Sequence, residues 1–278
     1  MSKNIDRRTV EGFGDEWTRF DQTGMSDEDT KKIFDNYFSI FPWQSLPSNA
    51  AGFDLGCGSG RWAKLVSPLV GTLHCIDPSD AIEVAQKNLR QQTNCVFHKA
   101  GVDDIPLNNR SMDFGYCLGV LHHVPDTQAA LKSCVSKLKF GAPFLVYLYY
   151  AFDNRPLWFR LLWQVSDFIR SAISKMPHGL RYFSSQIIAG LIYWPLARCA
   201  KLVEGLGINV SNFPLSFYRN TGFYVMRTDA LDRFGTRLEQ RFTKIEIKQM
   251  MESAGLEKIV FSDESPYWCA MGYARECT

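Results

Sequence analysis

Three glycines spaced two apart, in Asp54-Leu55-Gly56-Cys57-Gly58-Ser59-Gly60, mark where this chain could do chemistry. Glycine lacks a Cβ, so the backbone can turn sharply there and a ligand can come close to it. The apolar lead-in, Ala50 to Phe53, reads as a buried strand, and Arg61-Trp62-Ala63-Lys64-Leu65-Val66 resumes at helical spacing. The start of such a helix presents unpaired N–H groups and a partial positive charge, which suit an anionic group. Gly71 to Asp77 reads as a second strand that ends in a carboxylate. Asp77 lies about twenty residues past the glycines, the offset at which an acid takes a ribose diol in dinucleotide folds. Taken singly, the glycines could merely close a turn and Asp77 could cap the helix starting near Ser79. Together they point to a nucleoside ligand.

The spacing also distinguishes between cofactors. Nicotinamide and flavin folds favour G-x-G-x-x-G, whereas here G-x-G-x-G follows an acid. At this point the chain resembles the class I S-adenosylmethionine-dependent methyltransferases, in the small-molecule branch that includes the quinone methyltransferases. DLGCGSG is similar to that family's first motif and CIDPSDAIEVAQKN to its second. GVDDIPLNNRSMDFGYCLGVLHHV is similar to its third and fourth. The resemblance covers roughly residues 50 to 150, and FGDEW (Phe13 to Trp17) resembles a cofactor-covering motif found in part of the family.

The resemblance implies S-adenosylmethionine as cofactor and a role for each matching residue. Asp54 with the turn Gly56, Cys57, Gly58 and Gly60 would hold the methionine end. Asp77, followed by Pro78, would take the ribose. Val102 and Asp103 would flank the adenine, Leu118 and Gly119 would lie beside the methionine, and Trp17 would cover the site. Many relatives carry an acid where Gly101 stands, so Asp103 or Asp104 is the expected substitute.

Methyl transfer needs an acceptor lone pair in line with the breaking bond, and most of the acceleration can come from holding that geometry away from water. An oxygen or nitrogen acceptor that loses a proton is helped by a base titrating near neutrality. His122 and His123 follow the fourth predicted strand, where ligands collect in open parallel sheets. They are the candidate bases, against a reading in which one caps a turn and the other packs under the cofactor. His74 and His98 read as structural. Tyr149, Tyr150, Tyr218 and Arg219 are the candidate acceptor contacts, because aromatic faces suit a sulfonium and an arginine fork suits an anion. Surface ion pairing is the rival reading for the arginines near Arg219.

Composition narrows the class. The chain has 278 residues and a formal net charge of +2, which does not suggest general nucleic-acid binding. The eight cysteines include no C-x-x-C, and four fall on or beside predicted strands, so they read as core in a reducing cytoplasm. The N-terminal stretch lacks a secretory pattern, and no ligand spacing suggests a metal. The expected location is the cytoplasm, with peripheral membrane attachment as an open alternative.

Strands alternating with helices imply a Rossmann-like α/β fold with a mostly parallel, seven-stranded sheet. A short connection around Pro266 implies a C-terminal antiparallel strand pair. The expected division is an N-terminal arm and helix covering the cofactor over residues 1–45, a cofactor-binding core over 46–150, a helical cap or substrate insertion over 151–242, and a closing helix and strand pair that complete the core over 243–278. In the cap, Leu157, Leu161, Val165, Phe168, Ala172 and Met176 repeat at helical spacing, and a second apolar stretch from Leu180 to Leu206 is interrupted by Pro195. Three readings of the segment 155–206 stand: a packed cap or homodimer face, a lid, or a membrane-surface element. The expected activity is methyl transfer to oxygen or nitrogen of a small organic acceptor such as a sugar, natural-product scaffold or quinone-like molecule. Its alternative is a non-catalytic cofactor-binding module of the same fold.

Overall fold

The computed structural model describes residues 4–19 and 27–276. Its ten α-helices among the described residues are α1 (Arg7–Arg19), α2 (Asp27–Tyr37), α3 (Ala63–Val66), α4 (Ala81–Asn88), α5 (Thr127–Val135), α6 (Leu157–Ile173), α7 (His178–Ile188), α8 (Trp194–Gly205), α9 (Phe223–Gly235) and α10 (Lys244–Ser253). The strands are β1 (Ala51–Leu55), β2 (Thr72–Asp77), β3 (Cys95–Lys99), β4 (Phe114–Leu118), β5 (Pro143–Tyr147), β6 (Leu256–Phe261) and β7 (Cys269–Ala274). The chain forms two compact units. One is built on Thr30–Ala151 and the residues from Leu238 onward, and includes α1; the other is built on Phe152–Arg237.

The first unit holds a seven-stranded sheet in the order β3-β2-β1-β4-β5-β7-β6. The five central and left-hand strands pair in parallel, while β7 runs antiparallel to both β5 and β6. Every residue of β4 is buried, as expected for a strand covered by helices on both faces. Successive side chains alternate between the faces. Phe53, Leu55, Cys117, Phe144 and Val146 pack with Leu131 of α5 and Ile247 and Met251 of α10. Leu73, Cys75, Phe114, Tyr116 and Leu145 pack with Phe34 of α2, Val66 of α3 and Ile82 and Ala85 of α4. α10 begins with a capping box between Thr243 and Glu246, satisfying two otherwise orphaned N–H groups.

The N-terminal arm is the clearest departure from the sequence expectation: residues 7–19 are helical. The Asp6 carboxylate accepts the Thr9 N–H at 2.7 Å, a capping bond at the start of a helix in which Val10, Phe13 and Trp17 recur at helical spacing. Asn4 anchors the segment in front of that helix. Its side-chain amide donates to the Asp126 carbonyl at 2.7 Å, and the Asp126 N–H donates to Asn4 Oδ1 at 2.7 Å.

In the second unit, Pro195 does not interrupt the apolar stretch. It occupies the first turn of α8, directly after a π-helical turn over Ala189–Tyr193 that joins α7 to α8. Proline lacks an N–H and crowds the carbonyl four residues back, and a widened turn just ahead of it accommodates both defects. Ala189, Tyr193 and Ala197 face inward against Met226, Ala230 and Phe234 of α9 and Ile173 of α6.

Candidate active site

The glycine turn lies at the carboxyl end of β1, beside the gap where strand order reverses between β1 and β4. Open α/β sheets gather their ligands there. Gly56 has φ +77°, and a Cβ on it would sit 2.3 Å from Val120 Cγ2, so only glycine fits. The turn is tied to the second strand: Gly56 and Cys57 donate to the Ile76 carbonyl at 2.7 and 3.1 Å. Gly58 donates to Asp77 Oδ2 at 3.0 Å.

Asp77 therefore holds the turn as well as facing the ligand space. Its Oδ1 accepts from the Ser79 N–H at 2.9 Å and the Ser79 hydroxyl at 2.6 Å. A carboxylate has about four lone-pair sites, so Oδ2 retains the open one. Burial raises the Asp77 pKa above the ordinary carboxylate range despite these three bonds.

A cleft of about 1010 Å³, including its open mouth, runs over this turn. Its lining includes Gly56, Cys57, Gly58, Ser59, Asp77 and Pro78 from the turn and the end of β2, Val102, Leu118 and Gly119, and Ile5, Thr9 and Phe13 from the N-terminal segment. Of the residues proposed from sequence to bind the cofactor, Gly56, Cys57, Gly58, Asp77, Pro78, Val102, Leu118 and Gly119 thus line one cavity. Asp54, Gly60 and Asp103 are not on its lining. Asp54 is buried behind the turn, where desolvation pushes its pKa up to about 8 against the restraint of the Tyr116 hydroxyl. Gly60 backs onto Leu89. The Asp103 carboxylate accepts from the Asn4 backbone N–H, so it fastens the N-terminal segment. Trp17 lies on α1, with its side chain outside the described residues.

The cleft has the groups that a nucleoside joined to an amino acid requires. Thr9 Oγ1 and Ser59 Oγ are buried on its lining and make no hydrogen bond within the described residues. Such groups are costly unless a ligand or water completes them. Arg61 supplies a cation on the lining, its guanidinium 4.0 Å over the Trp62 ring. Sequence reasoning assigned no role to Asn4, Thr9 or Arg61, and reached Phe13 only through the FGDEW resemblance. The only sequence signal for Arg61 was its place immediately after the glycines.

The two candidate bases occupy different settings. His123 lines the cleft, and Phe13 tilts against it with ring centroids 4.9 Å apart. Its Nδ1 lies 2.7 Å from the Leu238 carbonyl. A carbonyl only accepts, so Nδ1 carries the proton and Nε2 is the basic nitrogen. His122 is fully buried off the lining, and its Nδ1 accepts the Tyr149 N–H at 3.3 Å. Burial, with His123 and Arg241 nearby, holds its pKa well below the ordinary histidine value.

Tyr149 stacks on His122 at 3.8 Å and lies under the Arg241 guanidinium at 5.0 Å. Arg241 in turn pairs with the buried Glu239 carboxylate at 2.7 Å. The Tyr150 ring lies 5.6 Å from that of Tyr267. Neither tyrosine is on the cleft lining. Tyr218 and Arg219 belong to the second unit, where both have local partners. The Tyr218 hydroxyl donates to Asp229 at 2.9 Å, and Arg219 pairs with Glu204 at 2.8 Å. His74 and His98 bond to each other at 3.0 Å across β2 and β3.

Residues 53–146 match the family described as Methyltransferase domain. The chain is 25% identical over 182 residues to a Ubiquinone biosynthesis O-methyltransferase of Xanthomonas axonopodis pv. citri, covering 59% of this chain and 74% of that protein. A protein of the same name from Coxiella burnetii is 26% identical over 176 residues, 56% of this chain and 73% of its own length. Human N-acetylserotonin methyltransferase, solved in complex with S-adenosylmethionine, superposes with a TM-score of 0.55 at 15% identity, covering 95% of this chain and 57% of that one. The matched segment spans β1 through most of β5, the strands whose ends build the cleft. By that domain and this sheet, the chain is a class I S-adenosylmethionine-dependent methyltransferase resembling the quinone methyltransferases.

Proposed function

We propose that the enzyme methylates an oxygen of a small organic acceptor, with His123 as the base that takes the acceptor proton. The observation that carries this reading is the Nδ1 bond from His123 to the Leu238 carbonyl at 2.7 Å, on a residue lining the cofactor cleft. That bond fixes the ring orientation and sets Nε2 as the proton acceptor. The name of the relatives, Ubiquinone biosynthesis O-methyltransferase, favours oxygen over nitrogen.

S-adenosylmethionine supplies the electrophilic methyl group; this chain supplies position and dryness. Asp77 Oδ2 takes a ribose hydroxyl, Val102 packs beside the adenine, and Thr9 and Ser59 complete polar groups of the ligand. Arg61 pairs with the methionine carboxylate. Phe13 and Ile5 keep water out, which raises the worth of each polar contact inside. We assign Tyr149 to the acceptor side through its stacking on His122, and Asp54 to supporting the turn from behind. An acceptor contact by Tyr150 stays part of the proposal.

The test is transfer of labelled methyl from S-adenosylmethionine into a panel of phenols, sugars and amines. His123→Gln should lose about 10²–10⁴ in kcat while binding S-adenosylhomocysteine within threefold of the parent. A His123→Gln enzyme with unchanged kcat and an unchanged acidic limb of the pH–rate profile ends the assignment. Tight binding of S-adenosylmethionine with no transfer to any acceptor favours the non-catalytic module instead.

A further inference from the structure

The second unit keeps a small apolar core and carries many of its large apolar side chains on the surface. In α6 the buried side chains are Arg170, at 7% exposure, and Ile173, whereas Phe168 is 79% exposed. Arg170 is satisfied inside the unit, donating to Asp167 at 2.6 Å and to the Thr236 carbonyl at 2.9 Å. At about 3.6 residues per turn, Leu157, Leu161, Val165 and Phe168 form one outward stripe, widened by Trp158, Leu162 and Ile169; all are exposed. The joined α7–α8 rod repeats the arrangement. Apart from Tyr193, its inward positions are small (Ser185, Ala189, Ala197, Ala200), while Leu180, Phe183, Leu191 and Leu202 are exposed. A soluble helix normally turns such a stripe inward. Contiguous apolar surface on this scale marks an interaction site.

Charge identifies the partner. Between residues 152 and 237 the chain has eleven Lys and Arg against five Asp and Glu, a net of +6, although the whole chain carries only +2. Four of those acids are engaged within the unit: Asp167 with Arg170, Glu204 with Arg219, Asp229 with Tyr218, and Asp232 with Thr236. Arg160 and Lys175 are exposed and make no ion pair among the described residues. Arg160 falls on the flank of the α6 stripe, where a long side chain can lie along apolar surface and present its charge at the edge. Among the described residues no helix is long and apolar enough to cross a membrane. A second copy is a poorer match, because a two-fold contact would set this positive rim against itself.

We propose that the outward faces of α6, α7 and α8 bind the surface of an anionic lipid bilayer. Apolar side chains enter the acyl boundary, and Arg160 and Lys175 meet lipid phosphates. Nothing in this proposal depends on which acceptor is methylated.

The test is co-sedimentation of the full chain with vesicles of phosphatidylglycerol and phosphatidylethanolamine, beside vesicles of phosphatidylcholine alone. The bound fraction should be about fivefold or more higher on the anionic vesicles and should fall with salt. Leu161→Asp with Phe168→Asp should lower vesicle affinity at least about tenfold, with the melting temperature unchanged because both residues are exposed. Arg160→Gln with Lys175→Gln, which leaves the apolar face intact, should weaken anionic binding several-fold and leave phosphatidylcholine binding as it was. Equal binding to both vesicle types overturns the proposal, as does a parent chain that stays in the supernatant. A dimer in light scattering that Leu161→Asp dissociates, without vesicle binding, would transfer the face to a second copy.

Discussion

The Asp77 carboxylate accepts the Gly58 amide at 3.0 Å, so one acidic side chain joins the ends of the first two strands and faces the cofactor cleft. Asp77→Ala removes both contributions. Charge-assisted bonds are worth about 1.5–3 kcal/mol each, so affinity for S-adenosylhomocysteine should fall at least about thirtyfold by calorimetry. Asp77→Asn keeps an oxygen for Gly58 and should lose less. An alanine variant binding within threefold of the parent would place the ribose elsewhere.

Gly56 should tolerate no side chain. Alanine there meets Val120 at 2.3 Å with φ at +77°, combining overpacking with backbone strain of about 1–3 kcal/mol each. Gly56→Ala should therefore lower the melting temperature by several degrees and abolish the thermal shift given by S-adenosylhomocysteine. A variant with the parent's thermal shift would show that the turn can move.

Asp54 should make stability fall as pH rises toward about 8. Its folded pKa is raised from 3.8 to about 8 by burial. A carboxyl raised on folding favours the native state while it stays protonated there, so this contribution is present below its unfolded pKa and lost as pH rises through about 8. Asp54→Asn has no proton to lose. Relative to the parent it should gain melting temperature between pH 6 and pH 9.5, on the order of 5 °C, given about 1.4 kcal/mol per pKa unit. Parallel melting curves across that window would show that Asp54 keeps its proton, or is solvated, throughout.

Asn4 should govern how long the cofactor stays. Its two bonds to the Asp126 backbone are each 2.7 Å, and together such bonds contribute about 1–3 kcal/mol. In Asn4→Ala the dissociation rate of S-adenosylhomocysteine should rise about tenfold in stopped flow, with the association rate little changed. If release is unaffected, residues 4–6 do not gate the cleft.

His122 should act through Tyr149 rather than on the acceptor. His122→Phe preserves the stack, seen at 3.8 Å, and loses the acceptor for the Tyr149 N–H. It should cost about 1 kcal/mol of stability and leave the pH–rate profile unshifted, in contrast to His123→Gln.

The parts of this molecule that were legible from sequence are those where local chemistry and long-range structure agree. The glycine turn, the acid ending β2 and the apolar run of β5 each announce themselves within a few residues, and they place the sheet and the cleft floor. The roof was legible only through the resemblance of FGDEW to a cofactor-covering motif. Residues 4–19 are mostly polar, and what ties them down is Asn4 meeting Asp126 and Asp103, pairings over a hundred and about a hundred residues away in the chain. Arg61 looked like any surface cation at a helix start. The second unit shows a different limit. Periodicity revealed that α6 has an apolar face, but not that its interior would be built around Arg170 while Leu161 and Phe168 faced out. A stripe says which residues share a side, not what lies on that side.

The π-helical turn at Ala189–Tyr193 sets the phase of the rod that contains it. Ser185, Ala189, Tyr193 and Ala197 recur every four residues, and three such steps overshoot an ideal helix by about a third of a turn. One wide turn absorbs that surplus and keeps all four on the same inner line. Removing a single residue there, such as Gly190, would let the wide turn relax to an ordinary α-helical one: Ala197 would follow Ser185 by eleven residues, about 20° past three full turns, and stay on the inner line.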